Sequence, residues 1–170
     1  MRLVTLFLLS LLLFTTSCGD DEDIQKEGNC LTAVVNGEDF TAESTTGVFN
    51  IINIEFENLG EQETRLLTIT GTIPSLTGNT ETITITFACS EFTSTLDVVD
   101  SDSDCGIGMN YQLTSFTDPN SSMVVTATSG TVNIEDDTND RIRGTFTFTG
   151  DDQNGASFSI TNGFFDTTVQ

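Results

Sequence analysis

Beyond residue 30, apolar and hydroxyl side chains alternate with a period of two, the spacing of strands that bury one face and wet the other. In Thr82-Ile83-Thr84-Ile85-Thr86-Phe87 the alternation runs without a fault. Leu67, Ile69, Gly71 and Ile73 share one face of a second run, opposite Thr68, Thr70 and Thr72. Ile52, Ile54 and Phe56 repeat the pattern, as do Met123, Val125 and Ala127. Val132 and Ile134 follow, then Ile142, Phe146 and Phe148, then Phe158, Ile160 and Phe164. Threonine suits the outward positions because its branched Cβ fits the pleat. No stretch in this part of the chain carries a 3.6-residue period.

Turn residues separate the runs. Asn36-Gly37 is the pair of a tight hairpin joining strand 31–35 to strand 39–43. Residues 76–79, 136–140 and 150–155 read as loops rich in Gly, Asn and Asp. The pattern predicts an all-β domain: an antiparallel meander of about nine or ten strands, packed as a sandwich or closed as a small barrel. Runs as long as 141–152 favour the barrel. Its outward faces are polar, so it is not an outer-membrane barrel, whose lipid face is apolar. Phe146, Phe148, Phe158 and Phe164 are expected to point inward, filling a core or lining a ligand cavity.

The start of the chain follows another plan. Arg2 precedes a twelve-residue apolar run, Leu3 to Phe14, and Thr15-Thr16-Ser17 lead to Cys18. That order predicts a secretory signal peptide over residues 1–17. The run falls short of the ~20 residues a membrane-spanning helix needs. The segment resembles a lipobox, with Ser17 and Thr16 in its small-residue positions and Thr15 where Leu is usual. The resemblance implies cleavage before Cys18 and lipidation of that cysteine, hence a domain tethered to a membrane. Residues 18–29 are then the lipidated cysteine and an acidic linker. Gly19-Asp20-Asp21-Glu22-Asp23 serves as a self-repelling spacer. It also resembles the surface-export signal of Bacteroidota lipoproteins. The expected address is the outer membrane, facing either the periplasm or the outside, with residues 30–170 forming one domain.

Charge narrows the partners. The chain has 26 acidic and 5 basic residues, a net charge of −21. Arg2 is the one charged residue among the first seventeen, so a chain beginning at Cys18 carries −22. A field of that sign repels nucleic acid and anionic lipid. The strong patterning and 13 phenylalanines point away from a disordered acidic chain. With Cys18 lipidated, Cys30, Cys89 and Cys105 remain. In an oxidising compartment two of the three can pair, and a Cys89–Cys105 bridge would close a loop of about 15 residues, worth near 3 kcal/mol.

Candidate chemistry is sparse. There is no histidine, which removes histidine-based triads, dyads and zinc sites. No glycine-rich phosphate loop links a strand to a helix. Twenty-six acids leave a histidine-free carboxylate-pair hydrolase open, but Tyr111 is the one tyrosine and there is no tryptophan to stack a sugar. The expectation is a protein that is not an enzyme and needs no cofactor. Asp100, Asp102 and Asp104 form the best metal candidate, because alternating carboxylates can converge on calcium. Cys105 then stands where an EF-hand has glycine, and Tyr111 where it has its bidentate Glu; a solvated loop is the simpler account. Asp136, Asp137 and Asp140 form a second acidic loop that reads as a turn. Arg141 and Arg143 share an outward face and are expected to pair with carboxylates across strands.

Three longer stretches carry a resemblance. Leu31-Thr32-Ala33-Val34-Val35-Asn36-Gly37-Glu38-Asp39-Phe40-Thr41-Ala42 resembles the opening of a family of small Bacteroidota lipoproteins whose β-rich domain has no assigned function. Arg141 to Thr149 and Ile160 to Asp166 resemble its end. The resemblance implies the address and the β-rich fold, and brings no site residues. Asp166-Thr167-Thr168 also resembles the short O-glycosylation acceptor motif of Bacteroidota. The expected function is therefore that of a lipid-anchored cell-envelope lipoprotein with a non-enzymatic binding or interaction domain. Its partner would be a protein, a glycan or a small apolar molecule. A barrel interior carrying an apolar ligand is the alternative, and the hydrolase the third.

Overall fold

The alternating runs become ten strands: β1 (Cys30–Val35), β2 (Glu38–Glu43), β3 (Ile51–Asn58), β4 (Arg65–Pro74), β5 (Asn79–Cys89), β6 (Thr95–Asp97), β7 (Cys105–Ser115), β8 (Met123–Thr138), β9 (Arg141–Asp152) and β10 (Ser157–Thr168). A single 3₁₀ turn, Pro119–Ser121, lies between β7 and β8. This is a computed structural model, and it describes residues 29–43, 51–58, 65–74, 78–89, 95–98, 105–138 and 141–168, with the backbone alone for 51–58, 65 and 119. Among the described residues no helix is long and apolar enough to cross a membrane.

Every pairing is antiparallel. The strands follow the order β2-β1-β10-β9-β8-β7-β5-β4-β3, with β6 added beside β8. Most neighbours are consecutive in the chain, and β10 returns to pair with β1. The sheet thereby curls into a nearly closed barrel whose seam runs between β2 and β3. At the seam β2 packs against β3 and β4 without a ladder between them. Gly71 makes that approach feasible: a Cβ there would sit 3.1 Å from the Leu31 Cβ and 3.2 Å from the Ala42 Cβ. The glycine on the apolar face of β4 is thus the position where the two ends of the sheet meet.

The Asn36-Gly37 turn has the expected left-handed pair, φ 49° and 91°, the backbone of a two-residue hairpin whose twist matches its strands. Met123–Ala127 and Val132–Ile134, two separate runs by sequence pattern, are one strand, β8. Register shifts between Ala127 and Ser129 and between Ile134 and Asp136 keep it continuous. Each bulge inserts one residue and changes which parity faces the core.

The inward residues form one contiguous core, with Leu31, Leu67, Ile69, Ile83, Ile85 and Phe87 among those fully buried. Aromatic rings pack against one another within it. Phe146 stacks on Phe148 and Phe165 at 6.5 and 6.3 Å, and Phe87 meets Phe165 edge-on at 6.4 Å. A ring of about eight strands encloses roughly the space its own side chains fill.

Candidate functional site

The most consequential departure from simple alternation lies in β10. Its pairing with β9 shifts between Ile160↔Phe148 and Gly163↔Phe146, so Thr161 and Asn162 together oppose Thr147. Asn162 takes φ 51°, a left-handed conformation that Asn tolerates better than most residues. After the bulge Gly163, Phe165 and Thr167 point inward. Phe164, expected in the core by unbroken alternation, is turned outward, and Phe165 takes its place with no exposed surface. The Arg143 guanidinium lies over the outward Phe164 ring, 5.1 Å from its centroid.

The bulge also shapes the surface. Thr131 and Asn133 from β8, Thr145 and Thr147 from β9, and Asn162 and Phe164 from β10 surround a depression of about 340 Å³ on the outside of the barrel. Phe146 and Gly163 form its floor. Gly163 is needed there, since a Cβ would come within 2.5 Å of the Phe146 carbonyl oxygen and 2.7 Å of its ring. Around the rim, Thr95 Oγ1 donates to Asn133 Oδ1 at 3.1 Å, and the hydroxyls of Thr131 and Thr147 lie 3.4 Å apart. No lining residue is charged. Sequence reasoning passed over these positions because hydroxyls on an outward face look generic. The signal that marks them is Asn162-Gly163 inside a strand pattern, the pairing that announces a bulge.

The charged groups are engaged with one another. Arg141 forms a two-pronged ion pair with Asp166 through Nε and Nη2. Arg143 Nε donates to Glu135 Oε2 at 3.2 Å, and Glu135 lies at the second β8 bulge. Both arginines are therefore held by carboxylates on neighbouring strands. Tyr111, buried and stacked at 6.3 Å on Phe158, donates its hydroxyl to Glu81 Oε2 at 3.1 Å. Burial first, and the adjacent Glu81 carboxylate second, push its phenol above the ordinary range, so it remains a donor. Asp152 closes the β9–β10 turn by accepting from the backbone N–H groups of Asn154 and Ala156, both at 2.8 Å.

Other candidates fall into place or outside the described residues. Cys89 and Cys105 stand directly opposite each other on β5 and β7, Cα atoms 4.2 Å apart, with their sulfurs joined. Cys30 is buried at the start of β1. Cys18, the acidic linker, Asp100, Asp102, Asp104 and Asp140 lie outside the described residues. Of the inward phenylalanines, Phe146 and Phe148 are packed in the core and Phe158 is partly buried against it. The Asp166-Thr167-Thr168 motif is not presented on the surface: Asp166 is engaged by Arg141, and the bulge turns Thr167 inward, where it is 1% exposed. The Thr167 hydroxyl is buried without a hydrogen-bond partner. No family model, curated protein or solved structure matches the chain.

Proposed function

We propose that the protein is a lipid-anchored module of the cell envelope that binds its partner with the outside of the barrel. One observation carries this reading. Among the described residues the interior is occupied by a contiguous core of the chain's own side chains, while the recess at the β10 bulge, with its threonine and asparagine lining, faces outward. Carriage of an apolar molecule inside would require Phe146, Phe148 and Phe165 to leave their mutual contacts. The address rests on Cys18 and the segment before it, together with the resemblance to small Bacteroidota lipoproteins.

The start of the domain is compatible with a tether. Asn29 accepts from the Thr168 N–H at 2.8 Å and from its hydroxyl at 3.0 Å, fixing the beginning of the domain to the end of β10. A linker over 18–29 would enter at this end. The hairpins at 36–37 and 153–156 and the exposed Phe116, 73% accessible, lie at the other end. The sides of the barrel, recess included, stand clear of both.

The test is metabolic labelling with palmitate, followed by protease treatment of intact cells. Labelled native protein, unlabelled Cys18→Ala, and loss of the native band on shaving are the expected results. A native protein that takes up no label ends the lipoprotein reading. Labelled protein resistant to shaving would keep the anchor and place the domain in the periplasm.

A further inference from the structure

The recess beside the β10 bulge combines three properties. It is lined by neutral hydroxyl and amide groups on a chain with 26 acidic residues. It includes an aromatic ring, Phe164, held from one side by Arg143. It lies at the β10 bulge, where Asn162 adopts a left-handed conformation and Gly163 packs directly against Phe146, a local departure of the kind that re-aims side chains. We propose that this recess is a binding site for a neutral oligosaccharide, with Asn133, Thr147 and Asn162 bonding sugar hydroxyls and Phe164 lying against a sugar ring. The proposal rests on the reading of the domain as an outward-binding module and names its ligand class.

The alternatives fit the same surface less well. An ionic ligand finds no lining charge to pair with, and Arg143 beside Phe164 is already paired with Glu135. An extended peptide recognised by strand addition needs a free sheet edge, whereas β8, β9 and β10 are each paired on both sides. An apolar molecule would cover the Asn162 amide without offering it a partner, at a desolvation cost. A sugar supplies donors and acceptors together with an apolar ring face, which matches threonine hydroxyls, asparagine amides and one phenyl ring. The volume, about 340 Å³, is at the small end of ligand sites, which span ~300–1,000 Å³. It suits one or two sugar rings of a longer chain rather than a deep pocket.

The experiment is affinity electrophoresis of the full-length lipidated protein in detergent micelles. The gels contain β-glucan, α-glucan, mannan or xyloglucan, with polygalacturonate as the charged control. Retardation by at least one neutral polymer and none by polygalacturonate is expected. The Asn162→Gly/Thr147→Val variant should bind at least tenfold more weakly with an unchanged melting temperature, because glycine accepts the left-handed backbone and valine keeps the shape of threonine. Thr84→Val, on the outward face of β5, should bind like the native protein. No retardation by any neutral polymer, equal retardation of the double variant, or a preference for polygalacturonate would overturn the proposal. Palmitate labelling reads the anchor independently, so failure here leaves the tethered-module reading standing or falling on its own test.

Discussion

The two sides of the barrel use the same alternating sequence to different ends. On β4 and β5 the ladder runs from Arg65↔Cys89 to Pro74↔Thr80 without a shift. Every second residue turns inward, the core there is mostly Leu and Ile with Phe87 and Cys89 at one end, and threonines dominate the outer face, with Thr72 and Thr82 hydroxyls 3.3 Å apart. Across β8, β9 and β10 the ladders shift three times, and the core there is built of phenylalanine against inward glycine. Strict alternation yields two uniform faces and no recess. Bulges give up regularity and in return reassign side chains, so a Phe reaches the surface and a depression opens beside it. Shape for recognition arises on the irregular side.

The sharpest way to break that comparison is to exchange the roles of Phe164 and Phe165. Phe165 is fully buried among Phe87 and Phe146, so Phe165→Ala should cost about 4 kcal/mol. Phe164 keeps an outward ring under Arg143, and Phe164→Ala should cost about 1 kcal/mol or less. Urea unfolding of both variants measures the two numbers. The reverse ranking would mean that β10 alternates without its bulge.

The regular side has its own clamp. The Cys89–Cys105 bridge joins the ends of β5 and β7 across 16 residues. Replacing both cysteines with alanine should lower stability by about 3 kcal/mol, the loop-closure contribution for a segment of this length. Amide exchange should rise in 79–89 and 105–115 and stay low in 141–168. Equal loosening of β9 and β10 would show that the two sides unfold as one unit, and that the comparison holds for shape alone.

What the sequence disclosed follows the same division. Where alternation is unbroken, in 66–73 and 82–87, pattern alone places each side chain on its face. The Asn36-Gly37 turn and the bounds of β9 are equally legible, because φ requirements and strand runs are local properties. A bulge is also local, but it alters everything downstream by one step. Reading past Asn162-Gly163 as continuous strand therefore misplaces Phe164 and Thr167 together. The closure of the sheet was legible only as a preference for long strands. The pairing of β1 with β10 depends on contacts more than a hundred residues apart, which no local period encodes. The recess was hidden for the same reason: it is assembled from three strands, and its threonines are ordinary on each of them.

The glycines test the close approaches on each side. A Cβ on Gly163 meets a backbone oxygen at 2.5 Å, and a carbonyl in a ladder has little freedom to move. Gly163→Ala should cost about 2 kcal/mol by overpacking. At Gly71 the nearest neighbours are side-chain carbons at 3.1 and 3.2 Å, which can give slightly, so Gly71→Ala should cost about 1 kcal/mol. Thermal melts of the pair decide it. Equal costs would indicate that the seam between β2 and β4 is as rigid as the bulged ladder.

The smallest effect concerns the turn that starts β10. Backbone hydrogen bonding, led by the Ala156 N–H, holds the Asp152 carboxyl below its ordinary value of 3.8. A carboxyl whose folded pKa is depressed contributes stability that is fully present above its unfolded pKa, near 3.9, and is lost as pH falls through the folded pKa. Asp152→Asn keeps an acceptor oxygen but removes the charge. At pH 7 the variant should therefore melt slightly below the native protein. The gap should persist down to about pH 4 and close below it, as the native carboxylate takes up its proton. Paired melts from pH 7 to pH 2 cancel the titration of the other carboxylates, which both proteins share. A gap of constant size would mean that charge on Asp152 contributes nothing and that the turn is held by its backbone geometry alone. A gap that closes would show β10 started by a charged cap, one turn upstream of the bulge that shapes the recess.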